Sequence, residues 1–512
     1  MTGSQPSRRT LLAGGAAALA ATVAGGLVVD AAAAAPAAAA GPAGLLPADP
    51  VAHLVRRATF GPTPASLAEA AKLGVSGWLD RQLNPATITD ATCDALLTRL
   101  PLAGADVAAV RAALPKHSYE AFNQLGRATV ARAVWSNRQL FEMTVHVWNN
   151  HLHVAAPSNG VWDSRADYDR QVIRKHAFGR YADMLKAAAR HPAMLTYLDN
   201  RSSTRSHPNE NYARELMELH TVGMIYSEAD VQAAARLLTG LTVNATGTYA
   251  YQSTRHATGP VAVLGFSHAN ATAEGGEAAA LAFLDHLARH RATAERIATR
   301  LCVRFVADEA PATLVATLAD VYQQHDTAIT PVLRALFTSA EFAASAGRKV
   351  RTPFEDLTAT VRALGLAPET SGVKGLDALY HMLVNAGNAP LRWAPPNGYP
   401  DVAAAWASPS AFLMRCNNHL NLATGWYPRQ LVRPANMLTA LVPVRPATYG
   451  GLVDALSRRL LGVTMRPEHV AAVLTVAGKR PGSALTSTDT SVTGSLPYLV
   501  ALVLDSPYFQ LR

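Results

Sequence analysis

The chain has 512 residues, 49% hydrophobic and 16% charged, with a formal net charge of +9. That is enough apolar material for a dry core, too little charge for a disordered polyelectrolyte, and too long a chain for a disulfide-stapled miniprotein. The three cysteines, Cys93, Cys302 and Cys416, exclude a cysteine-built zinc or iron–sulfur framework, and no run of five basic residues marks a nucleic-acid-binding tail.

Residues 1–42 read as an address. Ser7-Arg8-Arg9-Thr10-Leu11-Leu12 precedes an apolar stretch from Leu11 to Val29, then the small-residue run Ala31 to Ala35 and a Pro/Ala/Gly spacer. This pattern resembles a twin-arginine signal peptide. Weak hydrophobicity and Ala-x-Ala sites favour a cleaved leader over a membrane anchor. No later segment approaches 18 uninterrupted apolar residues, so the mature protein is expected to be secreted or extracytoplasmic, with no transmembrane segment.

Residues 43–512 are expected to form a single large helical domain, mostly α, with at most a small β-hairpin. Pro64 to Gly74 carries a proline in its first turn, apolar spacing of three to four and a glycine stop. Helix-length patterns follow at 104–114, 119–150, 166–189, 208–222 and 228–239. Further on they occupy 275–290, 293–306, 311–324, 328–338, 352–364, 373–386, 410–423, 449–461, 466–477 and 494–505. Between them, Thr242 to Gln252 and Val261 to Leu264 favour strand and are expected to pair as one hairpin. The long connections at 199–208, 252–275, 388–409 and 479–493 hold much of the Pro, Gly, Asn, Ser and Thr, as functional or mobile loops do.

The 135–154 segment, WSNRQLFEMTVHVWNNHLHV, carries an unusual polar load. As a helix it has an apolar stripe of Phe141, Val145 and Trp148, with Glu142, His146, Asn150 and His153 at steps of four, four and three. His151 and His153 share one side of an extended segment but lie on different faces of a helix, so conformation decides whether they can share an ion. They can serve a metal or acid–base chemistry, or stabilise exposed carbonyls at a helix end.

From His207 to Gly223 the sequence HPNENYARELMELHTVG predicts a helix opened by Pro208 and stopped by Gly223. Tyr212, Leu216 and Leu219 form its buried stripe, and Asn211, Glu215 and Glu218 a separate polar one. Glu210 and Arg214 are spaced as a supporting ion pair. The Glu215 stripe suits either a bundle-type site or an ordinary solvated face. His220 falls on the Ala213/Leu216 side, where a histidine can meet the helix's C-terminal dipole. No HExxH, Walker loop, dinucleotide fingerprint or GxSxG elbow occurs. Cys302 and Cys416 read as core thiols.

HLVRRATFGPT at 53–63, WNNHLHV at 148–154, PNENYARELMELHTVG at 208–223, RTPFE at 351–355 and WAPPNGYP at 393–400 together resemble a family of exported bacterial proteins. That family is labelled only as a domain of unknown function, number eighteen hundred. The resemblance spans residue 50 to the C-terminus and implies export and a mostly helical fold, without an established reaction. Two positions depart from the pattern. Family members usually carry His-Asn-His after the tryptophan, where this chain has Asn149-Asn150-His151. They also carry His-Asp where it has His256-Ala257.

The functional expectation is an exported enzyme with a polar site between helices. His151, Asn211, Arg214, Glu215 and Glu218 are the candidate catalytic groups: a glutamate as general acid or base, His151 as proton shuttle, Arg214 as anchor for an anionic group. His151, His153 and Glu215 are the candidate ligands of a metal, for which nitrogen and oxygen donors suit Zn, Fe or Mn. Hydrolysis or oxidation would follow from such an ion. The alternative is a non-catalytic envelope protein that binds an anionic or sugar polymer through aromatic loops such as Trp393 to Tyr399. No nucleic-acid partner is expected.

Overall fold

A computed structural model describes residues 44–47, 49–486 and 491–512; the twin-arginine segment lies outside the described residues. The fold is mostly α, with two antiparallel two-stranded sheets among the described residues. No helix there is long and apolar enough to cross a membrane. Packing gathers the chain into two units. One takes the residues up to Trp78, Ala344–Gly387 and Val402–Arg512, and the other takes Leu79–Ala343 and Asn388–Asp401.

In the first unit the helices Pro50–Ala58, Pro353–Ala363, Pro409–Thr424, Tyr449–Leu461 and Ser491–Asp505 enclose leucine, valine and phenylalanine side chains such as Leu54, Phe354, Leu452 and Val503. Thr352 and Glu355 form a reciprocal cap at the start of Pro353–Ala363, which is why RTPFE begins a helix there. This core also contains charge. His419 is fully buried with Nδ1 2.7 Å from Asp505 Oδ1 and Nε2 3.0 Å from Asp356 Oδ2, and Arg415 Nε lies 3.3 Å from Asp356 Oδ1.

The second unit holds Glu120–Trp135, Gln139–His151, Tyr181–Ala189, Glu228–Leu237, Gly276–Arg289 and Arg291–Phe305, among other helices. The predicted 119–150 helix is broken, because Ser136 takes extended dihedrals and Asp90 captures both its hydroxyl (2.6 Å) and the Asn137 amide (2.7 Å). The strand runs do not pair with each other as expected. Leu241–Val243 pairs with Tyr249–Tyr251, and Val261–Val263 pairs with Phe266–His268. The second hairpin closes through Leu264 and Gly265, both at positive φ (47° and 82°), the two-residue geometry that matches strand twist.

The helix bearing ELMELH begins at Glu210 rather than at Pro208, and is capped by Asn209. Asn209 Oδ1 accepts from the Tyr212 amide at 2.9 Å. At Leu216 it widens into a π-helical turn that runs to His220. Such turns are uncommon and concentrate at functional sites.

Candidate functional site

The site in the second unit is built on the end of that π turn, whose last carbonyls lack helical partners. Side chains supply them. Tyr181 Oη donates to the His220 carbonyl oxygen, which also lies 3.1 Å from His151 Nε2. Arg296 Nε donates to the Leu219 oxygen at 3.0 Å, and Thr221 Oγ1 to the Leu216 oxygen at 2.8 Å. Three different elements therefore converge on one helix end: Gln139–His151, Tyr181–Ala189 and Arg291–Phe305.

The hydrogen-bond pattern determines the state of His151. Its Nε2 faces the His220 carbonyl, which only accepts, and the Tyr181 oxygen at 3.0 Å, whose proton is spent on that same carbonyl. Nε2 must carry the hydrogen. Burial, and then the charges of Arg300, Arg296 and His220, push the ring well below the usual histidine range, so it stays neutral. Its Nδ1 is then a bare lone pair, buried and without a partner among the described residues. His220 Nε2 is likewise buried and unpartnered, and burial with the nearby Arg296, His153 and Arg300 lowers that ring to about 3. Tyr181 is pushed upward by burial and keeps its proton.

His153 is engaged elsewhere. Its Nε2 donates to the Trp393 oxygen at 2.7 Å, and its Nδ1 stands 3.2 Å from the oxygen of Asn149, four residues back in the helix that ends at His151. Two carbonyl neighbours favour a cation, but burial outweighs them and brings the ring down to about 4. His151, His153 and Glu215 thus do not form one ligand set. Among the described residues no group of three or more His, Cys, Asp or Glu side chains could hold a metal ion.

The carboxylates occupy the half-buried side of the same helix. Burial, then the charge of Glu218, raises Glu215 above the ordinary carboxylate range, with Arg214 opposing. Burial, and to a lesser degree the charge of Glu215, raises the phenol of Tyr197, which donates to the Ala394 oxygen at 3.2 Å. Glu218 accepts from Tyr226 Oη at 2.8 Å, and its charge supports that of Arg296. Asn211 is exposed. Arg214 does not pair with Glu210. It makes a two-pronged bond to Glu228, 2.8 Å on each arm, on an exposed surface.

The two departures from the family pattern have structural partners. Asn149 is buried, with Oδ1 accepting from Arg165 Nη2 at 2.7 Å and Nδ2 donating to Asp169 Oδ1 at 2.8 Å. His256, beside Ala257, is buried between the Thr239 oxygen (2.9 Å) and Asn270 Oδ1 (2.8 Å). In the aromatic 393–399 loop Tyr399 is buried and Trp393 is part-exposed. The Tyr399 hydroxyl donates to the Ala389 oxygen at 2.8 Å, and its ring lies 5.1 Å from that of Trp393.

The helical fold, the polar helix end and the motifs at 148–154 and 208–223 agree with one comparison. The family model described as protein of unknown function (DUF1800) matches residues 53–511, and the chain belongs to that family. No curated protein and no solved structure matches the chain.

Sequence reasoning missed Tyr181, His220, Arg296 and Arg300. The arginines had a legible signal, the spacing of Arg296, Arg300 and Arg304 at every fourth position of one helix. Tyr181 had none, because it reaches the site through tertiary packing.

Proposed function

We propose that the chain is an exported enzyme, carried by the twin-arginine route, that performs acid–base chemistry at the π-turn site. The observation that carries this reading is the lone pair at His151 Nδ1, held in a neutral ring whose other nitrogen is pinned to the His220 carbonyl. A base needs one free nitrogen and a third group to orient it, and this arrangement supplies both. In a hydrolytic step, His151 Nδ1 takes a proton from water as its oxygen attacks, and protonated Glu215 gives a proton to the leaving group. The two residues exchange that proton with solvent to reset. The metal-free version is favoured because His153 is committed to backbone oxygens. The polymer-binding alternative rests on the 393–399 loop, of whose two rings Tyr399 is buried, which leaves only part-exposed Trp393 to meet a polymer.

The test is a panel of chromogenic carboxylic esters, glycosides and phosphate esters offered to the full chain, followed by His151→Gln and Glu215→Gln. Each variant is expected to lose about 10²- to 10⁴-fold in turnover while unfolding at the wild-type temperature. Wild-type turnover by both would overturn the reading.

A further inference from the structure

Arg296, Arg300 and Arg304 follow one another at four-residue steps along Arg291–Phe305, so their guanidinium groups line one face. Their neighbours differ. Arg304 is buried with Nη1 3.4 Å from Asp401 Oδ2. Arg296 donates through Nε to the Leu219 oxygen and feels the carboxylate of Glu218. Arg300 makes no hydrogen bond or ion pair among the described residues; Asp401 and Tyr181 act on it only through their charge or dipole. Two half-buried cations, one without a bonded partner, thus stand beside two buried histidines that each hold an unpartnered ring nitrogen. An unpartnered buried nitrogen is destabilising, and a ligand held by the arginine pair would account for the one on His220.

We propose that Arg296 and Arg300 bind an oxyanion of the substrate, a phosphate-type group, against His220 Nε2, and leave His151 Nδ1 free to act as the base. The planar guanidinium fork matches such oxygens, and the partial exposure of both arginines gives the anion a route from solvent. His220 in its Nε2–H tautomer donates a further hydrogen bond. The inference rests on the assignment of His151 as a base with a free Nδ1. It moves the anchoring role expected of Arg214 to a pair on another helix.

Calorimetric titration of the full chain with inorganic phosphate, and separately with sulfate at matched ionic strength, tests this. Saturable binding of both tetrahedral anions is expected. Arg300→Gln should weaken it at least tenfold, and Arg300→Lys should retain part of it. Arg291→Gln, on the same helix but paired at the surface with Glu295 and Asp320, should bind as wild type does. Glu215→Gln should lose turnover yet keep phosphate binding, which separates failure of this inference from failure of the acid–base reading. Absence of phosphate binding, or equal binding by wild type and a folded Arg300→Gln, would overturn the proposal.

Discussion

His151 and Tyr181 meet on a single acceptor, the backbone oxygen of His220, with the imidazole Nε2 3.0 Å from the phenol oxygen. The contact secures a helix end and, in the same geometry, decides which histidine nitrogen is free. Tyr181 touches no reacting atom in this account; it positions His151. Tyr181→Phe should lower the unfolding free energy by about 1 kcal/mol, the net worth of one buried hydrogen bond. Turnover should fall about tenfold through kcat with KM little changed. An unchanged kcat would show that the ring needs no such support.

Gly398 brings the 393–399 loop onto the end of Gln139–His151. It adopts φ +71°, and a Cβ there would lie 2.2 Å from the Asn150 carbonyl oxygen and 2.9 Å from its carbon. Backbone on both sides leaves no soft neighbour to move. Gly398→Ala should cost more than about 3 kcal/mol in denaturant unfolding and break the His153–Trp393 bond. A loss below 1 kcal/mol would contradict this packing.

The second unit should be acid-sensitive. His153 and His220 have folded values of about 4 and about 3, depressed chiefly by burial, against about 6.5 in an unfolded chain. A depressed value contributes stability that is present above pH 6.5 and lost as pH falls through the folded value. For His153 the window from 6.5 to about 4 corresponds to roughly 3 kcal/mol. Unfolding midpoints measured from pH 7 to pH 4 should fall, and His153→Gln should flatten the slope. An identical slope in that variant would refute the assignment.

The first unit should behave in the opposite sense. Burial alone would lower His419, but Asp356 and Asp505, each taking one ring N–H, reverse it and raise the value to about 9. A raised value contributes stability that is complete below pH 6.5 and lost as pH rises through about 9. Alkaline titration of unfolding should reveal that decline. His419→Gln should abolish it and cost about 3 kcal/mol at neutral pH, since two buried carboxylates lose their cation. A pH-independent wild type between 7 and 10 would contradict the network.

Much of the helical layout was legible because apolar spacing, prolines at first turns and glycine stops act locally. Gly74 takes φ 69° as its stop position requires, and Glu228–Leu237 and Tyr449–Leu461 fall within or on the expected limits. The site was legible in part. The motifs pointed to His151 and Glu215, and helical spacing set His220 on the side of Ala213 and Leu216, with which it is buried; the π turn that ends the helix leaves no pattern in sequence. The Glu210–Arg214 pair failed for a related reason: Glu228, from the next helix, offers both carboxylate oxygens to Arg214. Contacts set by tertiary approach are invisible to periodicity.

The most direct test of the central claim is ¹⁵N NMR of histidine-labelled full chain, with His151 assigned by difference against His151→Gln. The account predicts a neutral ring from pH 5 to 8, protonated at Nε2, with an Nδ1 shift of an unprotonated nitrogen that moves when phosphate is added. A His151 imidazolium, or an Nδ1–H tautomer at pH 7, would contradict it.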